Sequence, residues 1–242
     1  MAANYAPAFA GRFSSVSYLQ FLKQRFARVY PLYALTAIVV FAASKSHLTF
    51  TVAHPSQAFI TDMLAIQNLG PGLVQPDLGR SLDGPGWSIS TELAAYLLFP
   101  WLAKITLFRS WSSAGVAVAV SIMSLALFAM LPDAWLPGER RGPLDVSFGA
   151  SLWPLVRCLA GFTLGLTIFR VAQRDRIGRT GLLDAAIVAA LSTLWFVPSS
   201  DVFVVCVFAL LIWQICTDRS PLARLLGGTI PRFLGDLSYQ FT

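Results

Sequence analysis

The sequence predicts an all-α protein: a polytopic transmembrane helix bundle with six spans plus one short re-entrant or interfacial segment. Three observations carry that prediction. Of 242 residues, 56% are hydrophobic and only 12% are charged, with a mean hydropathy of +0.64, whereas soluble domains carry about 25% charged residues. Apolar runs recur at lengths near the ~20 residues that a helix needs to cross a bilayer core. Basic residues also divide unevenly between alternate loops, as they do in membrane proteins. This composition excludes a disordered chain, an ordinary soluble enzyme and a nucleic-acid binder. The net charge of +6 would otherwise raise the question of nucleic acid. In so apolar a chain it reads as positive-inside bias.

Along the chain, Met1 is not followed by a basic n-region and an apolar h-region, so no signal peptide is expected. Residues 18–28 (YLQFLKQRFAR) are cationic and amphipathic, which suits a helix lying on the cytosolic surface and feeding the first span. Tyr30–Ser46 is that span, with Pro31 at its bend or first helical position. Gln57–Leu69 is apolar but too short to cross, and it contains Asp62, so it reads as re-entrant or interfacial. Gly70-Pro71-Gly72 and Gly84-Pro85-Gly86 bracket a loop expected to fold back over the membrane. Ser88–Phe108, Ser112–Leu131 and Leu152–Val171 are the second to fourth spans. Leu182–Pro198 and Val202–Thr217 are shorter, and Pro198-Ser199-Ser200-Asp201 joins them as a turn, giving a tight helical hairpin. No internal repeat is visible, so residues 1–242 are expected to form a single membrane domain.

Charge sets the orientation. If Gln57–Leu69 does not cross, one side holds Arg12, Lys23, Arg25, Arg28, Lys104, Arg109, Arg170, Arg174, Arg176, Arg179, Arg219, Arg224 and Arg232, which is 13 of the 18 basic residues. The other side holds Lys45, Arg80, Arg140 and Arg141. That split places the N-terminus and the residues after Thr217 in the cytosol.

Ionisable residues inside spans are costly and therefore candidates for function. Glu92 and Arg157 are two. Each lies five residues into a span entering from the outer side, about 7–8 Å below the same interface at 1.5 Å per residue. Opposite charges at one depth suit an ion pair, serving either the site or merely the locking of two helices. A snorkelling Arg157 is the remaining option. Ser88, Glu92 and Tyr96 are spaced i, i+4, i+8 and share one helix face. That polar stripe could line a water-filled cleft or form a hydrogen-bonded seam between helices. Arg25 and Arg28 lie one turn apart, either as anchors for anionic lipid or as a docking surface for a phosphorylated substrate such as a coenzyme A thioester. His47 and His54 fall in the first outer loop and read as solvated. Gly161 and Gly165 form a small-xxx-small packing motif. Cys158, Cys206 and Cys216 sit in apolar runs and read as packed or lipid-buried thiols. No metal-ligand spacing, nucleophile elbow or phosphate-binding loop is visible.

These residues fall into a familiar order. Phe21-Leu22-x-x-Arg25-Phe26-x-Arg28-Val29-Tyr30-Pro31-Leu32-Tyr33 resembles a segment of the acyltransferase 3 family of integral membrane proteins. Gly86-Trp87-Ser88-Ile89-Ser90-Thr91-Glu92-x-x-x-Tyr96-Leu97-Leu98-Phe99-Pro100 resembles a second segment. Arg157 with Gly161 and Gly165 is similar to a third, and Phe233-Leu234-Gly235-Asp236-Leu237-Ser238-Tyr239 to the start of a late helix. The resemblance implies transfer of an acyl group, usually acetyl, from acetyl-CoA or another acyl-CoA at the cytosolic face. The acceptor would be a hydroxyl of an envelope carbohydrate or glycolipid. It implies an inner-membrane protein needing no metal, with Glu92, Trp87, Ser88 and Tyr96 near the acceptor. Arg157 would orient Glu92 or the acceptor, and Arg25 and Arg28 would stand near the donor entrance. The family's general base is tied to a histidine near its first transmembrane helix, and neither His47 nor His54 fits that motif. The resemblance therefore implies a partial chain that lacks the first two helices and the last. A polysaccharide transporter or flippase-like protein and an inactive membrane scaffold are the competing readings.

Overall fold

The computed structural model describes residues 14–45, 54–69, 81–82, 86–132, 142–146, 151–174, 181–197, 199–216 and 220–231, with Phe9 and Phe233. Among the described residues the elements are helices without strands. They are α1 (Ser15–Lys45), α2 (Pro55–Met63), α3 (Trp87–Ala103), α4 (Trp111–Met130), α5 (Trp153–Arg174), α6 (Gly181–Leu194), α7 (Asp201–Ile215) and α8 (Pro221–Leu226). Helix α5 is central: it packs on α3, α4 and α7, while α1 packs on α2 and α3.

Among the described residues, four helical segments are long and apolar enough to cross a membrane: Ser15–Ser44, Trp87–Phe108, Trp111–Met130 and Trp153–Arg174. They answer to the first four predicted spans. Helices α6 and α7, of 14 and 15 residues, reach only about 21–23 Å, short of a ~30 Å hydrocarbon core. They still pack together as a hairpin. Ser199 turns the chain at φ 61°, and Ser200 Oγ donates to Leu194 O (2.7 Å). Trp195 and Phe196 stand exposed at the tip, as aromatic side chains do at a membrane–water interface.

Two expectations for α1 are corrected. Residues 18–28 do not form a separate surface helix, and Pro31 does not begin the span. The 31-residue helix runs through Pro31 without a break, because one missing N–H costs one ladder bond that packing on both sides of it outweighs. Residues 18–28 are held against α3 in antiparallel fashion. Tyr18 donates to Leu97 O (2.9 Å), and Phe21 stacks on Phe99 with centroids 5.0 Å apart. The cations therefore alternate with an aromatic seam rather than with lipid headgroups.

Gln57–Leu69 forms the nine-residue α2 followed by turns, consistent with a segment that does not cross. His54 precedes α2 as its N-cap, is exposed, and caps through its backbone oxygen alone. His47 and both Gly-Pro-Gly tripeptides except Gly86 lie outside the described residues, as does Gly235 to Tyr239.

Helix α3 contains Pro100 and ends in a π-helical turn, Lys104–Phe108, closed by Arg109 N donating to Lys104 O (3.0 Å). Arg170 of α5 caps this end. Its guanidinium donates to Thr106 O (2.6 Å) and Arg109 O (2.8 Å), reaches Ser110 O (3.4 Å), and covers the Trp111 ring at 4.1 Å. Charge counting treats Arg170 as a flanking cation, but the structure buries it as a cap on carbonyls that the helix end leaves open. Arg170→Ala should lower stability by about 2–4 kcal/mol, and Arg170→Lys should restore less than half, because an ammonium cannot span the same carbonyl fork. Unfolding of the purified full-length protein in mild detergent checks both values.

Candidate functional site

Helices α1, α3, α5 and α7 line an open cavity of about 570 Å³. Its polar groups come from the seam between α1 and α3. Tyr96 is buried at 3% exposure because Phe21 and Phe162 meet its ring edge-on. Its hydroxyl donates to the Glu92 carboxylate one turn earlier on the same face. Arg25 is also buried, and its guanidinium carbon lies 5.7 Å from the centre of the Tyr96 ring. A cation, a carboxylate and a phenol thus border one cavity. Phe99, Phe162, Leu166, Phe169 and Ile212 supply its apolar walls, with Gly165 and Cys216.

The structure brings together residues that charge counting separates. Arg25 was expected at the cytosolic surface and Glu92 near the outer one, yet both line the same cavity. The physical reason is the unbroken α1, which carries Arg25 inward along α3. Arg28, one turn further on, is half-buried and is not among the cavity's lining residues.

Arg157 stands outside this cluster, as the snorkelling option has it. It is exposed and does not line the cavity, and Glu92 takes its hydrogen bond from Tyr96 instead. At about 100° per residue, Arg157 stands about 140° around α5 from Phe162 and about 120° from Phe169, which do line the cavity. Equal depth was right to consider, but helical phase turns the guanidinium away. Ser88 shares the face of Glu92 and is half-buried one turn closer to the helix start, outside the cavity lining. Trp87 packs instead into a second cluster with Phe128, Val146 and Trp153.

Gly161 and Gly165 are also corrected. A methyl group added at either would meet no atom within 4 Å beyond its own helix backbone, so neither permits a close helix approach here. Of the cysteines, Cys206 and Cys216 are exposed and Cys158 is half-buried, and none of the three is in a disulfide. Among the described residues, no group of three or more His, Cys, Asp and Glu side chains gathers in a way that could hold a metal ion.

Sequence reasoning missed a second polar centre. Asp62 is fully buried. One carboxylate oxygen accepts from Gln67 Nε2 (2.9 Å) and the other from Leu82 N (2.9 Å). Gln67 Nε2 also reaches Tyr33 Oη (2.6 Å) and Gly86 O (3.2 Å), and Asn68 donates to Trp87 O (2.8 Å). This centre joins α1 and the turn after α2 to the start of α3, and so sets the height of Glu92.

A family model described as an acyltransferase domain matches residues 6–241. The chain belongs to the acyltransferase 3 family. Acyltransferase MdmB of Streptomyces mycarofaciens is 28% identical to it over 240 residues, covering 91% of this chain and 59% of that protein. The chain thus spans about three-fifths of that relative's length. No solved structure matches it. Within this acyltransferase 3 chain, the first two of the four segments that carry the resemblance lie on α1 and α3, the helices whose seam holds Arg25, Glu92 and Tyr96.

Proposed function

We propose that the full-length protein is a membrane O-acyltransferase of the cytoplasmic membrane. It moves an acyl group, acetyl in the simplest case, from acyl-CoA to a hydroxyl of an envelope carbohydrate or glycolipid. In this reading residues 1–242 are one membrane domain with six spans, including the short α6–α7 hairpin, and a cytosolic N-terminus. One observation carries it: a guanidinium and a carboxylate line the same cavity between apolar helices. Acyl transfer can use both, a cation beside the charged donor or the developing oxyanion and a carboxylate to hold the acceptor hydroxyl. The hydroxyl oxygen attacks the thioester carbonyl, a C–O bond forms, the C–S bond breaks, and the hydroxyl proton leaves as the coenzyme A thiolate gains one.

Glu92 holds the acceptor hydroxyl through its carboxylate, and Tyr96 fixes the rotamer of Glu92. Arg25 faces the donor and Arg28 extends the positive charge towards the donor entrance, where phosphate groups would bind. The histidine assigned as base in the family has no counterpart here, so the base is not assigned to any of these residues. Arg25→Ala combined with Arg28→Ala should raise the KM for acyl-CoA about tenfold or more, since charge-assisted bonds contribute about 1.5–3 kcal/mol each. Wild-type donor affinity in that double variant would show that neither residue meets the donor. The broader test follows labelled acetate from acetyl-CoA into glycan, in membranes with and without the protein. Equal incorporation in the two rules out the acyltransferase reading.

A further inference from the structure

The cavity is far larger than an acetyl group requires. At about 570 Å³ it exceeds several-fold the roughly 150 Å³ apolar cavity that suffices to admit benzene. Its polar groups are confined to the Arg25, Glu92 and Tyr96 cluster, and the rest of the lining is apolar. On α5, Phe162, Gly165 and Phe169 stand at i, i+3 and i+7, within about 60° of one another. Gly165 therefore lies between two phenyl rings on the wall of the cavity. A methyl group there would meet no atom within 4 Å, so the space beside Gly165 is open.

We propose that this wall is the site of an acyl chain longer than acetyl, of medium length, and that Gly165 sets the longest chain accepted. The proposal rests on the acyl-transfer reading and names its donor class. The thioester carbonyl lies towards Arg25 and Glu92, and the alkyl tail runs between Phe162 and Phe169 towards Ile212. A larger side chain at position 165 occupies the volume that the tail fills, and does so without disturbing a helix contact.

Binding tests this without needing turnover. Full-length protein in lipid nanodiscs is titrated with acetyl-CoA, butyryl-CoA and hexanoyl-CoA, with empty discs correcting for partition into lipid. Affinity should rise about tenfold or more from acetyl to hexanoyl, since each buried methylene favours binding. Gly165→Leu should remove that rise. Gly165→Ala, whose added methyl has room, should remove part of it and keeps the test valid if the leucine variant does not fold. A flat series in the wild type overturns the proposal, and so does a rise that survives undiminished in whichever of the two variants folds. Donors that bind with this chain-length trend but are never transferred to an acceptor leave the acyl-chain site standing and count against the acyltransferase reading alone.

Discussion

Glu92→Gln is expected to cut acyl transfer by about a hundredfold or more while leaving the protein in the membrane at wild-type levels. The substitution keeps the length of the side chain and an oxygen able to accept from Tyr96, and it removes only the charge. A carboxylate that holds or helps deprotonate a hydroxyl contributes on the order of 10²–10⁴ in rate, and a hundredfold loss corresponds to about 2.7 kcal/mol. Insertion cannot explain such a loss, because an amide inside a span costs less than a carboxylate. Labelled acyl transfer in membranes, scaled to the amount of protein, checks the value. Activity within threefold of wild type would show that the charge of Glu92 takes no part. Tyr96→Phe separates position from charge. Its ring still packs on Phe21 and Phe162, but the hydroxyl that holds Glu92 is gone, so a smaller loss, about five- to tenfold, is expected from a carboxylate left free to rotate.

How much of this was legible beforehand depends on the kind of signal. The long helices were, because an apolar run near 20 residues has one stable form in a bilayer. The shortness of the helix in Gln57–Leu69 was legible as well, through the length of its apolar run. The face of Ser88, Glu92 and Tyr96 followed from periodicity, and two of its three members border the cavity. What periodicity within one helix cannot give is the phase between helices. Arg157 and Glu92 were matched by depth and opposite charge, neither of which fixes the rotation of α5. Arg25 was assigned to a surface because cations flank spans on average, whereas here the aromatic residues Tyr18 and Phe21 dock α1 on α3 and draw Arg25 inward. Capping by Arg170 was hidden for a similar reason: its partners are carbonyl groups, which every residue possesses and no sequence pattern marks.

Asp62 illustrates a polar residue whose role depends on partners far along the chain, and its loss should be the largest stability effect in the structure. Its carboxylate is fully buried and accepts from Gln67 and from the backbone of Leu82, 20 residues on. Asp62→Ala would leave the buried backbone N–H of Leu82 without its carboxylate acceptor and would cost Gln67 its charged one. Hydrogen bonds to a charged group contribute about 1.5–3 kcal/mol each, and each orphaned donor adds a desolvation cost, so a loss of about 3–5 kcal/mol is expected. Asp62→Asn is the sharper probe. It keeps the shape, yet one of its two polar atoms becomes an NH₂ group facing either Leu82 N or Gln67 Nε2, donor against donor, so about half the loss should remain. Thermal unfolding of the full-length protein in detergent measures both variants. The same change should reach the cavity, because Gln67 also holds Gly86 O and Tyr33, and so fixes the start of α3, on which Glu92 stands, against α1. Acyl transfer by Asp62→Asn should therefore fall at temperatures where the protein is still folded. Full activity up to the unfolding transition would show that this centre supports the fold without positioning Glu92.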